Sequence, residues 1–259
     1  MGKVETFTLD IAPLGESPRT IYVYLPDSYF RTKKKYPVLY MFDGHNLFDD
    51  ETATYGKCWG IKDYLDKNQL DLVVIGQDCN HTGDKRLDEY CPFPSEKKTM
   101  LGSTITSEGE ITAHWFATVL KQECEKRYRI YKSRKHVGIG GSSMGGLMSE
   151  YMIAKYNDVY GKAACVSSAA YYCAEPLLKL IRESRLDPDT RIYMDFGSKE
   201  TDNREFMVLN VALMLEMNHA FSEQGCRTYP HIVVDGMHCE ATWETIVPVF
   251  LKYLYPEIY

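Results

Sequence analysis

The stretch HVGIGGSSMGGLMSEYMIAKY, residues 136–156, determines how the rest of the chain is interpreted. Glycines are costly inside a strand or a helix unless the backbone must turn or approach another segment closely. Here an apolar segment precedes the glycines and a helix-forming segment follows them. Residues 141–145, GSSMG, match the pattern G-x-S-x-G, and the strand–turn–helix setting predicts that Ser143 is exposed on a sharp bend. The alternative is a flexible loop without chemistry.

Other short apolar segments predict the sheet into which this bend is built. These segments do not alternate between apolar and polar residues, as half-buried strands do. Continuous apolar segments are typical of strands buried on both faces. Helical patterns lie between the segments. The alternation of strands with helices along the chain predicts an α/β fold, with a mostly parallel central sheet of about eight strands and helices on both faces. VETFTLDI and RTIYVYLPDSY alternate at period two and predict an antiparallel N-terminal edge. The apolar segments are YPVLYMFDG, LDLVVIGQD, HVGIGG, KAACVSSA, TRIYMDFG and YPHIVVDGM.

The composition narrows the range of partners. The chain has 259 residues and a net charge of −6, without the basic patches of nucleic-acid or membrane-surface binders, so neither partner is expected. No apolar stretch reaches the roughly 18 residues needed to span a bilayer. The absence of repeats and linkers predicts one domain over residues 1–259. The absence of an export signal, with eight cysteines but no C-x-x-C pair, predicts a cytoplasmic protein with reduced thiols. A homo-oligomer is compatible with these features.

A long segment poor in apolar residues follows the fourth predicted strand, over residues 77–110. Loops of this length in compact domains are usually functional, and ligands of parallel sheets bind at the carboxyl ends of the strands. We therefore expect this segment to line a substrate pocket with Arg86 and Tyr90. Arg86 could hold a substrate carboxylate, or it could pair with Asp88 or Glu89; the sequence favours the pairing.

A serine hydroxyl needs a base within hydrogen-bond reach and a third group that orients the base. Three histidines follow Ser143. His219 lies in a helical pattern and His231 in a strand, whereas His238 lies in the loop VVDGMHCEATW just after the last strand. His238 is therefore the predicted base.

The third group is expected just after the strand TRIYMDFG. Glu200 and Asp202 in GSKETDN are the two candidates, and Glu200 is favoured with Asp202 as the alternative. Asp195 lies within the strand itself, which indicates a structural role.

The expected donors to an oxyanion are backbone N–H groups at two loops. The N–H of Met144 follows the serine at the positive end of a helix. The second donor is expected in DGHNLF after the third strand, from His45 or Gly44. The His45 imidazole precedes the serine in the chain, which is the wrong order for the base.

Together these motifs resemble the putative-esterase group of α/β-hydrolases, which includes esterase D, enterochelin-esterase-like proteins and the feruloyl and acetylxylan esterases of carbohydrate esterase family 1. The resemblance implies that Ser143 is the nucleophile, His238 the base and Glu200 the acid, although the family more often has Asp there. It also implies that Trp243 is the aromatic residue that follows the family's histidine. The segments that carry it are RTIYVYLPDSY, KKYPVLYMFDGHNLFDD, RLDEY, GIGGSSMGG, MDFGSKE and DGMHCEATW.

The implied reaction is hydrolysis of a carboxylic ester through an acyl-enzyme, with no metal or organic cofactor. The resemblance implies short-chain, acetyl or feruloyl esters of small molecules or oligosaccharides as substrates. Little in the chain resembles the apolar lid of a lipase, so long-chain fats are not expected. Two alternatives remain: an acyltransferase or peptidase with the same three residues, and a non-catalytic binding protein on the same fold.

Overall fold

Eight β-strands form a single sheet in the computed structural model, which describes residues 1–15, 18–99 and 102–259. The strand order is β1-β2-β4-β3-β5-β6-β7-β8. β2 is antiparallel to both β1 and β4, and the remaining pairs are parallel. The predicted parallel sheet with an antiparallel N-terminal edge is therefore confirmed. The strands are β1 Lys3–Leu9, β2 Arg19–Leu25, β3 Val38–Phe42, β4 Val73–Gln77, β5 Val137–Ser142, β6 Lys162–Val166, β7 Arg191–Gly197 and β8 Arg227–Val233.

Helices cover both faces of the sheet, as the sequence predicts. Residues of α3 to α7 pack on one face, and those of α1 and α8 pack on the other. A π-helical turn joins α3 to α4. No helix in the described ranges is long and apolar enough to cross a membrane. The helices are α1 Ile61–Lys67, α2 Lys85–Glu89, α3 Gly109–Trp115, α4 Lys121–Arg127, α5 Met144–Lys155, α6 Ala174–Glu183, α7 Arg204–Glu223 and α8 Glu240–Leu254.

Strand β3 shows why the inner strands are continuous apolar segments. Val38, Tyr40 and Phe42 belong to the core on one face of the sheet, and Leu39 and Met41 belong to the core on the other face. Because side chains alternate along a strand, a strand covered on both faces needs an apolar residue at every position.

The segment after β4, residues 77–110, contains the short helix α2 and, at its end, the first residues of α3. Two buried carboxylates hold it in place. Asp88 accepts a hydrogen bond from the Thr106 N–H at 2.7 Å, and Glu89 forms a buried ion pair with Arg19 of β2. Ser95 donates to the Tyr172 carbonyl at 2.7 Å, which joins the segment to the loop after β6. The segment is therefore anchored at the end of α2 and again at Ser95.

Candidate active site

Ser143 lies on the sharp bend between β5 and α5. Its φ of 57° and ψ of −118° are unusual for a residue with a side chain, and such a conformation costs roughly 1–3 kcal/mol. The flanking glycines are required by close approach. A Cβ atom on Gly145 would lie 2.9 Å from Phe42, and one on Gly141 would lie 3.0 Å from the backbone of Gly145. The glycines therefore shape an ordered turn, and the alternative of a flexible loop is wrong.

Backbone hydrogen bonds fix the bend from the side of β6. The Ser143 N–H donates to the Val166 carbonyl at 3.0 Å, and the Ala169 N–H donates to the Ser143 carbonyl at 3.0 Å. Met144 is the first residue of α5, so its N–H has no acceptor within the helix. The positive end of α5 is therefore presented beside the Ser143 side chain.

His238 and Glu200 form a hydrogen-bonded pair. His238 donates from Nδ1 to Glu200 Oε2 at 2.7 Å. The Glu200 side chain is 3% exposed and that of His238 is 40% exposed. The other carboxylate oxygen accepts from the Gly197 N–H at 2.7 Å and from the Ser167 hydroxyl at 2.6 Å. Of the two candidate acids, the structure brings Glu200 to the imidazole, whereas Asp202 is exposed.

Ser167 joins this pair to the core. Its hydroxyl accepts from Trp243 Nε1 at 3.0 Å while it donates to Glu200. The Trp243 ring also meets the His238 imidazole edge to face, with 5.2 Å between centroids. Asp195 accepts from the Ser167 N–H at 3.0 Å, and burial raises the pKa of this carboxyl to about 7. Asp195 therefore has the structural position that its place within β7 indicates.

A cavity of about 810 Å³ opens at this edge of the sheet, and Ser143, His238, Glu200 and Trp243 all line it. Within the described residues no hydrogen bond joins Ser143 to His238. Hydrogen bonds between catalytic groups are often long in ligand-free proteins and shorten when substrate binds.

The loop after β3 forms part of the cavity wall. His45 lines the cavity, whereas Gly44 does not. A Cβ atom on Gly44 would lie 2.6 Å from the backbone of Gly76 in β4, so this position accepts only glycine. Asp43, just before the loop, adopts a left-handed conformation with φ 56°. Of the two predicted donors in this loop, His45 is therefore the one at the cavity.

The structure places Arg86 and Tyr90 differently from the prediction. Arg86 lines the cavity, but its guanidinium binds both carboxylate oxygens of Asp43 at 2.7 Å, so its partner is neither Asp88 nor Glu89. Tyr90 is fully buried and does not line the cavity. Its hydroxyl accepts from the Asp43 N–H at 3.4 Å and donates to Gln77 at 2.8 Å. Both residues contact the turn at Asp43. This contact is not visible in the sequence, because Asp43 lies far from both residues along the chain.

A second imidazole–carboxylate pair faces the same cavity. His45 Nδ1 lies 2.7 Å from Asp78 Oδ1, and His45 Nε2 lies 2.9 Å from the Thr54 hydroxyl. His81 Nε2 reaches the same Asp78 oxygen at 2.8 Å. Burial opposes ionisation of Asp78, but the close contact with His45 and the charges of both imidazoles outweigh it, so the pKa of Asp78 is lowered.

Three aromatic side chains also line the cavity. The rings of Tyr171 and Tyr172 lie 4.4 Å apart, and Phe206 meets Tyr171 edge to face at 5.1 Å. Sequence reasoning missed these residues and Ser167. Their positions in the chain, just after β6 and after β7, could have predicted them, because ligands of parallel sheets bind at the carboxyl ends of the strands.

The eight-stranded sheet and the strand–turn–helix bend at Ser143 define the α/β-hydrolase class of fold. The sequence profile of the family described as "Putative esterase" matches residues 14–252. The chain therefore belongs to the putative esterase family, and it is a carboxylic-ester hydrolase.

Individual relatives agree with this class. An uncharacterized protein, YbbA, of Bacillus subtilis is 29% identical over 187 residues, which cover 70% of this chain and 69% of that protein. A ferulic acid esterase superposes with a TM-score of 0.71 at 20% identity, covering 100% of this chain and 99% of its own. An IroE-like serine hydrolase from Shewanella oneidensis superposes with a TM-score of 0.76 at 13% identity, covering 99% and 81%. At these identities the two structures show a shared fold.

Proposed function

We propose that the protein hydrolyses carboxylic esters through an acyl-enzyme on Ser143, with His238 as base and Glu200 as the acid that orients it. The observation that carries this proposal is the 2.7 Å hydrogen bond from His238 Nδ1 to Glu200, at the cavity that also contains the strained Ser143. A buried carboxylate on Nδ1 sets the tautomer in which Nε2 can accept a proton. His238 then takes the Ser143 proton as the hydroxyl attacks the ester carbonyl.

The negative charge that develops on the carbonyl oxygen is met by two backbone donors. The Met144 N–H lies at the start of α5, and the His45 N–H belongs to the loop after β3. Removal of one such donor typically costs 10²–10³ in turnover. His238 returns its proton to the leaving alcohol, and the same imidazole activates the water that releases the acyl group.

The aromatic side chains that line the cavity indicate the class of substrate. Tyr171, Tyr172 and Phe206 offer ring faces on which an aromatic acyl group or a sugar can stack. The structural similarity to a ferulic acid esterase supports the aromatic acyl group. We therefore propose short acyl or feruloyl esters of small molecules or oligosaccharides as substrates.

Labelling with a fluorophosphonate tests the nucleophile. We expect covalent labelling of the folded protein that is lost in Ser143→Ala and kept in Ser142→Ala, because Ser142 is the neighbouring serine and ends β5. Labelling that survives in Ser143→Ala contradicts the assignment.

An ester panel tests the substrate class. Turnover is compared for p-nitrophenyl acetate, p-nitrophenyl butyrate, methyl ferulate and acetylated xylan, and again with added alcohol as acceptor. We expect Tyr171→Ala to lower turnover of methyl ferulate more than turnover of p-nitrophenyl acetate, because only methyl ferulate has an aromatic acyl group, whereas the ring of p-nitrophenyl acetate belongs to the leaving group. Transfer to the alcohol in preference to water would identify an acyltransferase instead.

A further inference from the structure

A group of potential metal ligands lies where β3 and β4 end. Phe42 and Gln77, the last residues of these strands, are in register as parallel neighbours. The residues that follow them are therefore adjacent in space. They bring together His45 from one loop, and Asp78, Cys79 and His81 from the other. None of these four side chains has a step in the proposed hydrolysis.

The four side chains converge. One ligand atom from each lies within 4.8 Å of the others. Both imidazoles approach the same oxygen of Asp78, at 2.7 and 2.8 Å, and the Cys79 sulfur lies 4.0 Å from His81 Nδ1. The imidazole rings of His45 and His81 contact each other edge to face at 4.7 Å.

We propose that this cluster is a binding site for a divalent transition-metal ion of the zinc type. Zinc takes tetrahedral nitrogen, sulfur and carboxylate ligands at 2.0–2.3 Å, which places the ligand atoms roughly 3–4 Å apart. The present spread of 4.8 Å closes by a small movement of His81, whose side chain is 58% exposed. His45, Asp78 and Cys79 lie deeper and form the fixed part of the site.

The surroundings of His45 suit a metal ligand. A ligating histidine usually has its second nitrogen hydrogen-bonded, which fixes the ring and directs the other nitrogen to the metal. Here the Thr54 hydroxyl lies 2.9 Å from Nε2, and Nδ1 points into the cluster. Among the residues that the structure describes, the Nδ1 atom is buried without a hydrogen-bond partner, so it is available to a metal ion in its deprotonated form.

The charges select a divalent ion of intermediate softness. A Cys79 thiolate and the Asp78 carboxylate together neutralise two positive charges. The guanidinium of Arg86 also lies at this cavity wall, but its charge is balanced by both oxygens of Asp43. Magnesium and calcium prefer all-oxygen sites, whereas sulfur and imidazole ligands favour zinc, copper or cobalt.

Metal binding would join the loop that carries the His45 N–H to the end of β4. The ion is not a participant in ester hydrolysis. It is a second ligand whose site shares a cavity wall with the substrate, so occupancy and substrate binding are expected to affect each other.

The test is binding of zinc alone to the full, metal-free chain. Competition against a chromogenic chelator is expected to show one Zn²⁺ per chain, together with an increase in the unfolding temperature. Cys79→Ser and His81→Gln are each expected to weaken binding by at least tenfold. His81 is exposed, so its variant keeps the fold even where Cys79→Ser does not. Cobalt provides an independent readout on the wild type, because a thiolate ligand produces an intense charge-transfer band in the near ultraviolet.

Two controls separate this site from other imidazoles. His219 pairs with Glu223 on the surface of α7, 3.3 Å apart, so His219→Gln should leave zinc affinity unchanged. His238→Ala tests whether zinc binds instead at the His238–Glu200 pair. The proposal is overturned if the wild type binds no stoichiometric zinc, if cobalt shows no thiolate band, or if zinc affinity depends on His238 and not on His81. Each readout is a binding measurement, so the result does not depend on the proposed hydrolysis.

Discussion

Two imidazole–carboxylate pairs face one cavity, and only one of them is arranged to act as a base. In both pairs Nδ1 lies 2.7 Å from a carboxylate oxygen, of Glu200 for His238 and of Asp78 for His45. The pairs differ at the second nitrogen. His45 Nε2 is engaged by the Thr54 hydroxyl, and the His45 side chain is 8% exposed against 40% for His238.

The comparison shows that a short distance from an imidazole to a carboxylate is not enough to select a candidate base. A general base needs a free nitrogen within reach of the proton that it removes. His238 has such a nitrogen beside the cavity. His45 Nε2 is engaged by the Thr54 hydroxyl, and Nδ1 is buried against Asp78 without hydrogen-bond geometry, so His45 lacks such a nitrogen. In the proposed zinc site, Nδ1 binds the metal.

The largest expected effect separates the two imidazoles. His238→Ala should lower kcat for p-nitrophenyl acetate by about three orders of magnitude or more. The reason is that a general base typically accelerates the reaction by about 10²–10⁴-fold and also orients the nucleophile. His45→Gln should lower kcat by no more than about tenfold, since its backbone N–H remains. Steady-state kinetics of both variants, with Ser143→Ala as the inactive reference, make the comparison. A greater loss in His45→Gln would reverse the two roles.

The next effect tests which carboxylate orients His238. Glu200→Gln should lower kcat by about 10²-fold or more, because the amide disfavours the required tautomer and leaves the imidazolium without its charge partner. Asp202→Asn, two residues away and exposed, is the matched control and should retain wild-type turnover within about twofold. Equal losses in the two variants would contradict the assignment of Glu200.

Sequence reasoning reaches the fold and the candidate triad because each follows from local pattern and order. The apolar strands, the glycines around Ser143 and the loop position of His238 are all visible along the chain. The choice between Glu200 and Asp202 is not, since both lie in the same turn and only their burial separates them. The pairing of Arg86 with Asp43 also escapes sequence reasoning, because it depends on how two distant loops meet at the sheet edge.

A smaller effect is expected from the contact that supports the loop after β3. Arg86→Gln removes the two-point hold on Asp43, which precedes the proposed donor His45, and should lower kcat by about tenfold through misplacement of that donor. Lys85→Gln is the control and should have little effect, because Lys85 is half exposed and Asp88 keeps its hydrogen bond from the Thr106 N–H.

The kinetic constants of Arg86→Gln also discriminate between two roles. A supporting role lowers kcat with little change in KM for neutral esters. An increase in KM confined to esters that carry a carboxylate, with kcat unchanged, would show instead that Arg86 binds substrate.

A buried carboxyl on α5 without an imidazole partner among the described residues extends the comparison to stability. Glu150 of α5 is fully buried, and its carboxyl oxygens have no hydrogen-bond partner among the described residues. Burial raises the pKa of this carboxyl from 4.5 to about 8. Between these values only the folded state keeps the proton, so the free energy of unfolding falls as the pH rises, by up to about 1.4 kcal/mol per pH unit.

Glu150→Gln removes this pH dependence of the free energy of unfolding, and we expect it to have the smallest effect on turnover of the variants considered. Urea unfolding between pH 5 and 9 should show the variant gaining on the wild type as the pH rises. Asp195, whose pKa is about 7, is present in both proteins, so its ionisation cancels in the difference. Parallel curves for the two proteins would mean that Glu150 is already ionised in the folded state.

The short segment 166–169 has a consequence for enzyme engineering. It binds the backbone of Ser143 through two hydrogen bonds and the carboxylate of Glu200 through a third. The segment therefore fixes the distance between these two residues. An insertion or deletion there would shift both at once. Libraries that aim at new acyl selectivity should keep this segment intact and diversify Tyr171 and Tyr172, whose rings face the cavity and whose replacement leaves that spacing unchanged.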